Sequence, residues 1–260
     1  MLRLGILAAA TLSALAAGTL IQGAEPVSPV YELRIYTCEP GKLTALNERF
    51  RNHTLRLFAR HGMVNLGYWI PTDEPQSETT LVYLLQHASE DAAAKSWAAF
   101  RNDPEWQAVA KASQEAHGKI LAKSPESIYF TAAAFSPSIT KWSKDAVFEL
   151  RTYVCNPGKL PDLHARFQNH TLKLFERQGM TNLWYLTPLS QDQRETTLVY
   201  FLAHESREAA QKSWEGFLAD PEWQAARNAS EAAGPILAKR PDAMFLRLAD
   251  YSPTEVPASN

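Results

Sequence analysis

The chain is one unit written twice. Residues 31–115 lie over residues 148–232 at a constant offset of 117, and 49 of those 85 positions are identical. YELRIYTCEPGKL is matched by FELRTYVCNPGKL, RFRNHTLRLFARHGM by RFQNHTLKLFERQGM, and DPEWQA occurs in both copies. The period is too long for a solenoid repeat and is the size of a small domain. The chain therefore divides into a first domain over 30–134, a linker over 135–146, a second domain over 147–250 and a tail over 251–260 expected to be flexible.

Each copy reads as β-α-β-β-α-α-β. Residues 30–37 alternate and are rich in β-formers, which predicts a strand. Pro40-Gly41 is a turn, and Leu43, Leu46, Phe50, Leu57 and Phe58 give 42–60 a helical spacing that Gly62 ends. Strands follow at 64–70 and 78–87. Ser89 caps a helix through residue 100, with Glu90 and Asp91 in its first turn. Asp103-Pro104-Glu105 opens another helix, to about residue 123. A strand over 127–134 completes the copy. The fold class is α+β: two tandem ferredoxin-like βαββαβ domains. Four strands with helices on one face leave the other face bare. The second copy covers it, so the chain forms an internal pseudo-dimer with a barrel-like core; higher oligomers stay open.

The 260 residues carry a net charge of −2, with 45% hydrophobic residues. No basic surplus or block marks a nucleic-acid binder. Residues 1–24 (MLRLGILAAATLSALAAGTLIQGA) combine one early Arg, an apolar run and a small-residue end, the pattern of a signal peptide. The expectation is an exported protein, periplasmic or extracellular, with no stable membrane insertion after cleavage.

In the first strand Glu32, Arg34 and Tyr36 share a face, and Glu149, Arg151 and Tyr153 repeat them. Covered carboxylate and guanidinium groups need one another. They read either as an ion pair fixing register or, through Arg34, Tyr36, Arg151 and Tyr153, as an anion site. His53 and His170 stand at helical spacing from apolar neighbours and are expected to point inward, as ligands, bases or core histidines; Asn52 and Thr54 beside His53 also fit a local helix irregularity. Tyr83 and His87, with Tyr200 and His204, share one face of the third strand. His87 lies near the strand end, where a solvent-facing role is open to it. Trp97, Phe100 and Trp106, with Trp214, Phe217 and Trp223, form an aromatic set that serves as core or as the wall of a pocket. The second strand carries Gly67 and Trp69 where the other copy has Trp184 and Leu186, a shift expected to leave either two equal ligand sites or one. No spacing suits a structural zinc site. Cys38 and Cys155 are an even pair at matching positions, which meet only near the two-fold axis; bridged and free forms both stay open.

ELRIYTCEPGKL, the NHT of the first helix and the late WAAFRNDPEWQ resemble the NIPSNAP domain, over nearly all of both copies. That resemblance implies the dimeric α+β barrel group. Eukaryotic members are associated with mitochondria and vesicle traffic, and no reaction is tied to the domain. The wider group includes haem-degrading and quinone-forming monooxygenases, isomerases and chlorite dismutase-like haem enzymes. The resemblance leaves three readings: a small-molecule binding protein, a monooxygenase or haem-handling enzyme that is either cofactor-free or uses haem as its cofactor, and a non-catalytic interaction module.

Overall fold

The structure, a computed structural model, describes residues 28–256. The expected signal segment over 1–24 and the last four residues lie outside the described residues.

The first copy runs β1 (Val30–Thr37), α1 (Leu43–Arg49), a π turn (Phe50–Thr54), α2 (Leu55–Arg60), β2 (Val64–Pro71), a short α3 (Gln76–Thr79), β3 (Thr80–His87), α4 (Glu90–Asn102), α5 (Pro104–His117) and β4 (Glu126–Ala132). The second runs β5 (Val147–Val154), α6 (Leu160–Arg166), a π turn (Phe167–Thr171), α7 (Leu172–Arg177), β6 (Thr181–Pro188), β7 (Thr197–His204), α8 (Arg207–Ala219), α9 (Pro221–Ser230) and β8 (Asp242–Leu248). The caps are local chemistry. The Ser89 hydroxyl accepts from the Ala92 N–H, and the Asp103 carboxylate accepts from the Glu105 N–H with Pro104 in the first turn behind it. Gly62 and Gly179 end their helices at φ 77° and 80°, a region that favours glycine. Helix α5 is shorter than expected: Gly118 ends it, and the chain then runs extended so that Leu121 bridges Cys38.

The eight strands form a closed antiparallel barrel in the order β1-β3-β2-β8-β5-β7-β6-β4. The copies join at two seams. Trp69–Pro71 of β2 pair with Leu246–Leu248 of β8, and Phe130–Ala132 of β4 pair with Leu186–Pro188 of β6. Closure removes the four sheet edges that separate copies would expose. The interior is one shared apolar core, including Leu33, Trp69, Phe130, Leu150, Trp184 and Phe201. Each copy also buries its helices on the outer sheet face in a core of its own, around Phe50, Tyr68 and Tyr83 in the first and Phe167, Tyr185 and Tyr200 in the second.

The segments after β4 and β8 cross to the other copy. Ser136 accepts from the Tyr185 N–H, and Ser252 accepts from the Tyr68 N–H. The Tyr251 hydroxyl donates to Asn47, and the Trp142 N–H to the carbonyl of Thr254. The first part of the expected flexible tail is thus a packed strap, because its backbone groups find partners in the linker and the first copy. Cys38 and Cys155 are both free and buried, one in each helix–sheet core.

Candidate functional site

The outer face of β1 carries a buried carboxylate. Glu32 is fully buried and accepts four hydrogen bonds: from Arg34 Nη1 (2.6 Å), Ser127 Oγ (2.6 Å), Trp97 Nε1 (2.7 Å) and His87 Nε2 (2.9 Å). Strand alternation aims Glu32 and Arg34 at the helices, β3 supplies His87, β4 supplies Ser127, and α4 lowers Trp97 onto the group. Burial works to raise the Glu32 pKa. The His87 hydrogen bond, the Arg34 charge and the Ser127 hydrogen bond outweigh it and hold the carboxyl down at about 2. In the second copy Glu149 accepts from Arg151 (2.5 Å), Trp214 (2.8 Å) and His204 (3.0 Å), and its pKa is lowered by the same balance. The Ser127 position is Ala243 there, so one donor is missing.

Each arginine stacks on an indole. The Arg34 guanidinium lies 4.3 Å from the Trp97 ring centre and that of Arg151 lies 4.1 Å from Trp214. Both side chains keep 15% exposure, while the carboxylates behind them keep almost none. The arginines are therefore the part of each group that a ligand can touch.

Beside Arg151 a cleft of about 490 Å³ opens between α6, α8, α9 and the sheet. Its lining includes Arg151, Tyr153, Arg166, Trp214, Trp223 and Arg240. Arg166 is nearly buried, lies 5.0 Å from the Trp223 ring centre, and pairs with Glu231 at 3.1 Å. Its counterpart Arg49 makes no ion pair among the described residues, and burial lowers its pKa. Arg49 lines a different groove, of about 460 Å³ between α1 and α5, together with Asn52, His53, Ser113 and His117.

Arg34, Tyr36, Tyr83 and His87 come together in the first copy, and Arg151, Tyr153, Tyr200 and His204 in the second. Tyr36 packs edge-on against Tyr83 at 5.3 Å, and Tyr153 does the same against Tyr200. Tyr83 and Tyr200 are wholly buried, which drives their pKa values well above the usual phenol range. His87 and His204 do not face solvent. Each is buried against its glutamate through Nε2, and each Nδ1 is buried too. Their Nε2 atoms are committed to the glutamates, so these histidines position the carboxylates.

His53 and His170 correct the expectation of an inward histidine. The π turn adds a residue to the helical circuit, and the inward place passes to Thr54 and Thr171, each 1% exposed. Their hydroxyls donate to the carbonyls of Arg49 and Arg166, five residues back. His53 and His170 are left half-buried at the helix surface. The expected tryptophan shift also lands elsewhere: Trp69 and Trp184 both point into the barrel, 6.1 Å apart, and do not touch the helix–sheet clefts. Sequence reading missed Arg49 and Arg166. Their retention in both copies amid an apolar helical face was the available signal. Among the described residues no three His, Cys, Asp or Glu side chains converge to hold a metal, and no helix is long and apolar enough to cross a membrane.

The NIPSNAP family profile matches residues 31–137 and 148–253. No curated protein matches the chain in sequence. Among solved structures, an anthrone oxidase-like protein aligns over 85% of this chain and 92% of its own, at 15% identity and a TM-score of 0.55. A provisionally assigned monooxygenase from Lactobacillus acidophilus NCFM aligns over 84% and 93%, at 11% identity and a TM-score of 0.55. A NIPSNAP domain protein of Burkholderia xenovorans covers 41% of this chain and 98% of its own, at 25% identity and a TM-score of 0.35. The two longer alignments agree with the dimeric α+β barrel described above.

Proposed function

The chain belongs to the NIPSNAP family, and from that premise we propose that it binds a small organic anion in the helix–sheet cleft of its second copy. The observation that carries this reading is the cleft beside Arg151: a guanidinium on its floor, Trp214 and Trp223 as walls, and a volume of about 490 Å³, within the range of small-ligand sites. Arg151 spends Nη1 on Glu149 and keeps 15% of its side chain exposed, where a carboxylate would reach it. The indoles would hold a flat apolar body. The apolar N-terminal run with its small-residue end supports export, and the ligand would then be met in the periplasm or outside the cell.

The monooxygenase alternative draws on the barrel fold shared with the anthrone oxidase-like protein and the Lactobacillus protein. A haem-dependent form of it does not fit the Arg151 cleft. The Arg151 cleft has no histidine in its lining, and the buried His87 and His204 are committed to glutamates.

Calorimetric titration with 1-naphthoate tests the reading. Binding should weaken at least about ten-fold in Arg151→Met. Arg34→Met removes the matching guanidinium at a comparable cost to the fold and should leave binding unchanged. Absence of any binding by the intact protein at millimolar naphthoate, or equal loss in both variants, sinks the proposal. A haemin titration that produces a shifted Soret band would favour the alternative.

A further inference from the structure

The two helix–sheet layers share their floor and differ at their rim. In the second copy Arg227 and Arg240 line the cleft, and so does Leu218. At the corresponding places the first copy has Ala110, Ser124 and Arg101. Leu218 is 56% exposed and is the one large hydrophobic residue so exposed among the described residues. Leu218 thus places an apolar side chain at the mouth of the cleft where the first copy places a charge. It lies on α8, and the added arginines come from α9 and the segment just before β8.

The charges around the cleft do not balance. Four arginines line it: Arg151, Arg166, Arg227 and Arg240. Arg151 is matched by Glu149 at 2.5 Å. Arg166 and Arg227 share Glu231, at 3.1 and 3.4 Å. Arg240 makes no ion pair among the described residues. Four guanidiniums against two carboxylates leave two positive charges uncompensated, one associated with the Arg166–Arg227–Glu231 group and one at Arg240. Arginine keeps its charge at any working pH, so this excess is permanent. An aromatic monocarboxylate seated on Arg151, whose charge Glu149 already matches, would leave the positive rim at Arg227 and Arg240 unanswered.

We propose that this cleft is built for a rigid aromatic acid with two acidic groups, one seated at Arg151 and the other held at the rim by Arg227 and Arg240, with its ring between Trp214, Trp223 and Leu218. The inference rests on the anion-binding reading above and adds the ligand class and the stoichiometry. The first copy retains Arg34, Trp97 and Trp106 but has neither rim arginine on the α5 side. Arg101, in place of Leu218, puts a charge on α4 and removes the apolar cover. One diacid binds per chain, in the second copy.

The full chain is titrated by calorimetry with naphthalene-2,6-dicarboxylate and with 2-naphthoate. The diacid should bind about ten-fold more tightly or better, at one site per chain. The double variant Arg227→Ala, Arg240→Ser carries the residues of the first copy, at exposed positions that do not threaten the fold. It should bring the diacid to the affinity of the monoacid and leave the monoacid within about two-fold of its original value. Diacid affinity should also fall more steeply with salt than monoacid affinity. Equal affinity for the two probes, or an unaffected double variant, overturns the diacid assignment while the anion-binding reading stands. Two diacids per chain overturn the single-site assignment. If neither probe binds, the underlying reading fails and this inference with it.

Discussion

The two copies agree in their buried charged groups and disagree at the rims of their helix–sheet layers. Both keep a buried glutamate held by an arginine, a tryptophan and a histidine, on strands that pair in the same register: Arg34 opposite Tyr83, and Arg151 opposite Tyr200. Both keep a π turn stitched by a threonine. A buried charge that loses one partner becomes a large liability, so these groups can change only together. At the rims a substitution costs little, and there the copies diverge into Arg227 against Ala110 and Leu218 against Arg101. The comparison separates the groups that hold the barrel together from the surface where a ligand specificity can arise in one copy alone.

The largest effect should come from separating the copies. Residues 28–140 alone expose the β2 and β4 edges and the inner apolar face of half a barrel. The fragment should self-associate or precipitate, as judged by light scattering. A soluble monomer with native circular dichroism would mean that each copy is a domain in its own right.

Glu32→Gln and Glu149→Gln should each cost about 3–5 kcal/mol in chemical denaturation. The first should cost more by about 1 kcal/mol, because Ser127 gives Glu32 a fourth donor that Ala243 cannot give Glu149. Ser127→Ala should abolish that difference; if the gap persists, its origin lies elsewhere. The linkage has a definite sign. A carboxyl whose folded pKa is depressed stabilises the fold above its unfolded pKa, near 4.5, and loses that contribution as pH falls toward about 2. The cost of Glu32→Gln should therefore be full at pH 7 and shrink between about pH 4.5 and 2.

Two glycines give a smaller contrast. A methyl group on Gly67 would lie 2.2 Å from the Trp69 ring, which is wedged in the barrel interior, so Gly67→Ala should cost about 1–3 kcal/mol. A methyl group on Gly216 meets only the end of the flexible Gln178 side chain, and the first copy has Ala99 there. Gly216→Ala should be within about 1 kcal/mol of wild type and on the stabilising side, since alanine favours the helix. Comparable losses in both variants would mean that the barrel interior can yield around Trp69.

The smallest effect concerns His61, which is Gln178 in the other copy. The His61 hydrogen bond is the largest influence holding Asp103 at about 2, with burial opposing it. His61→Gln should raise the Asp103 pKa as read by NMR titration. An unchanged value would assign the depression to Arg60 and the helix N-terminus instead.

What the sequence determined by itself is whatever depends on near neighbours. Alternation in β1 put Glu32, Arg34 and Tyr36 on one covered face, and Ser89 and Asp103 marked helix starts that their side chains do cap. The repeat, with one bare sheet face per copy, already required a joint core. Only the tertiary structure decided what meets across elements and across the pseudo-two-fold. His53 stood at the right spacing for an α-helix, but a π turn changed the angular sum and sent it outward. Trp69 and Trp184 occupy non-matching positions because both meet in one barrel: Trp69 folds over Gly67 in the first copy, and Leu186 takes the Trp69 position in the second. The strap from Tyr251 to Val256 reads as polar tail, and it packs because the first copy and the linker offer partners to its backbone. Nothing local to Arg227 and Arg240 distinguishes them from other surface charges. Their meaning depends on the cleft between them, which is made by side chains from α6, α8, α9 and the sheet and is written in no local stretch of the chain. Periodicity follows from bond geometry and is carried by a few consecutive residues, whereas a cavity or a pairing is a relation between distant segments that exists only once the chain has closed on itself.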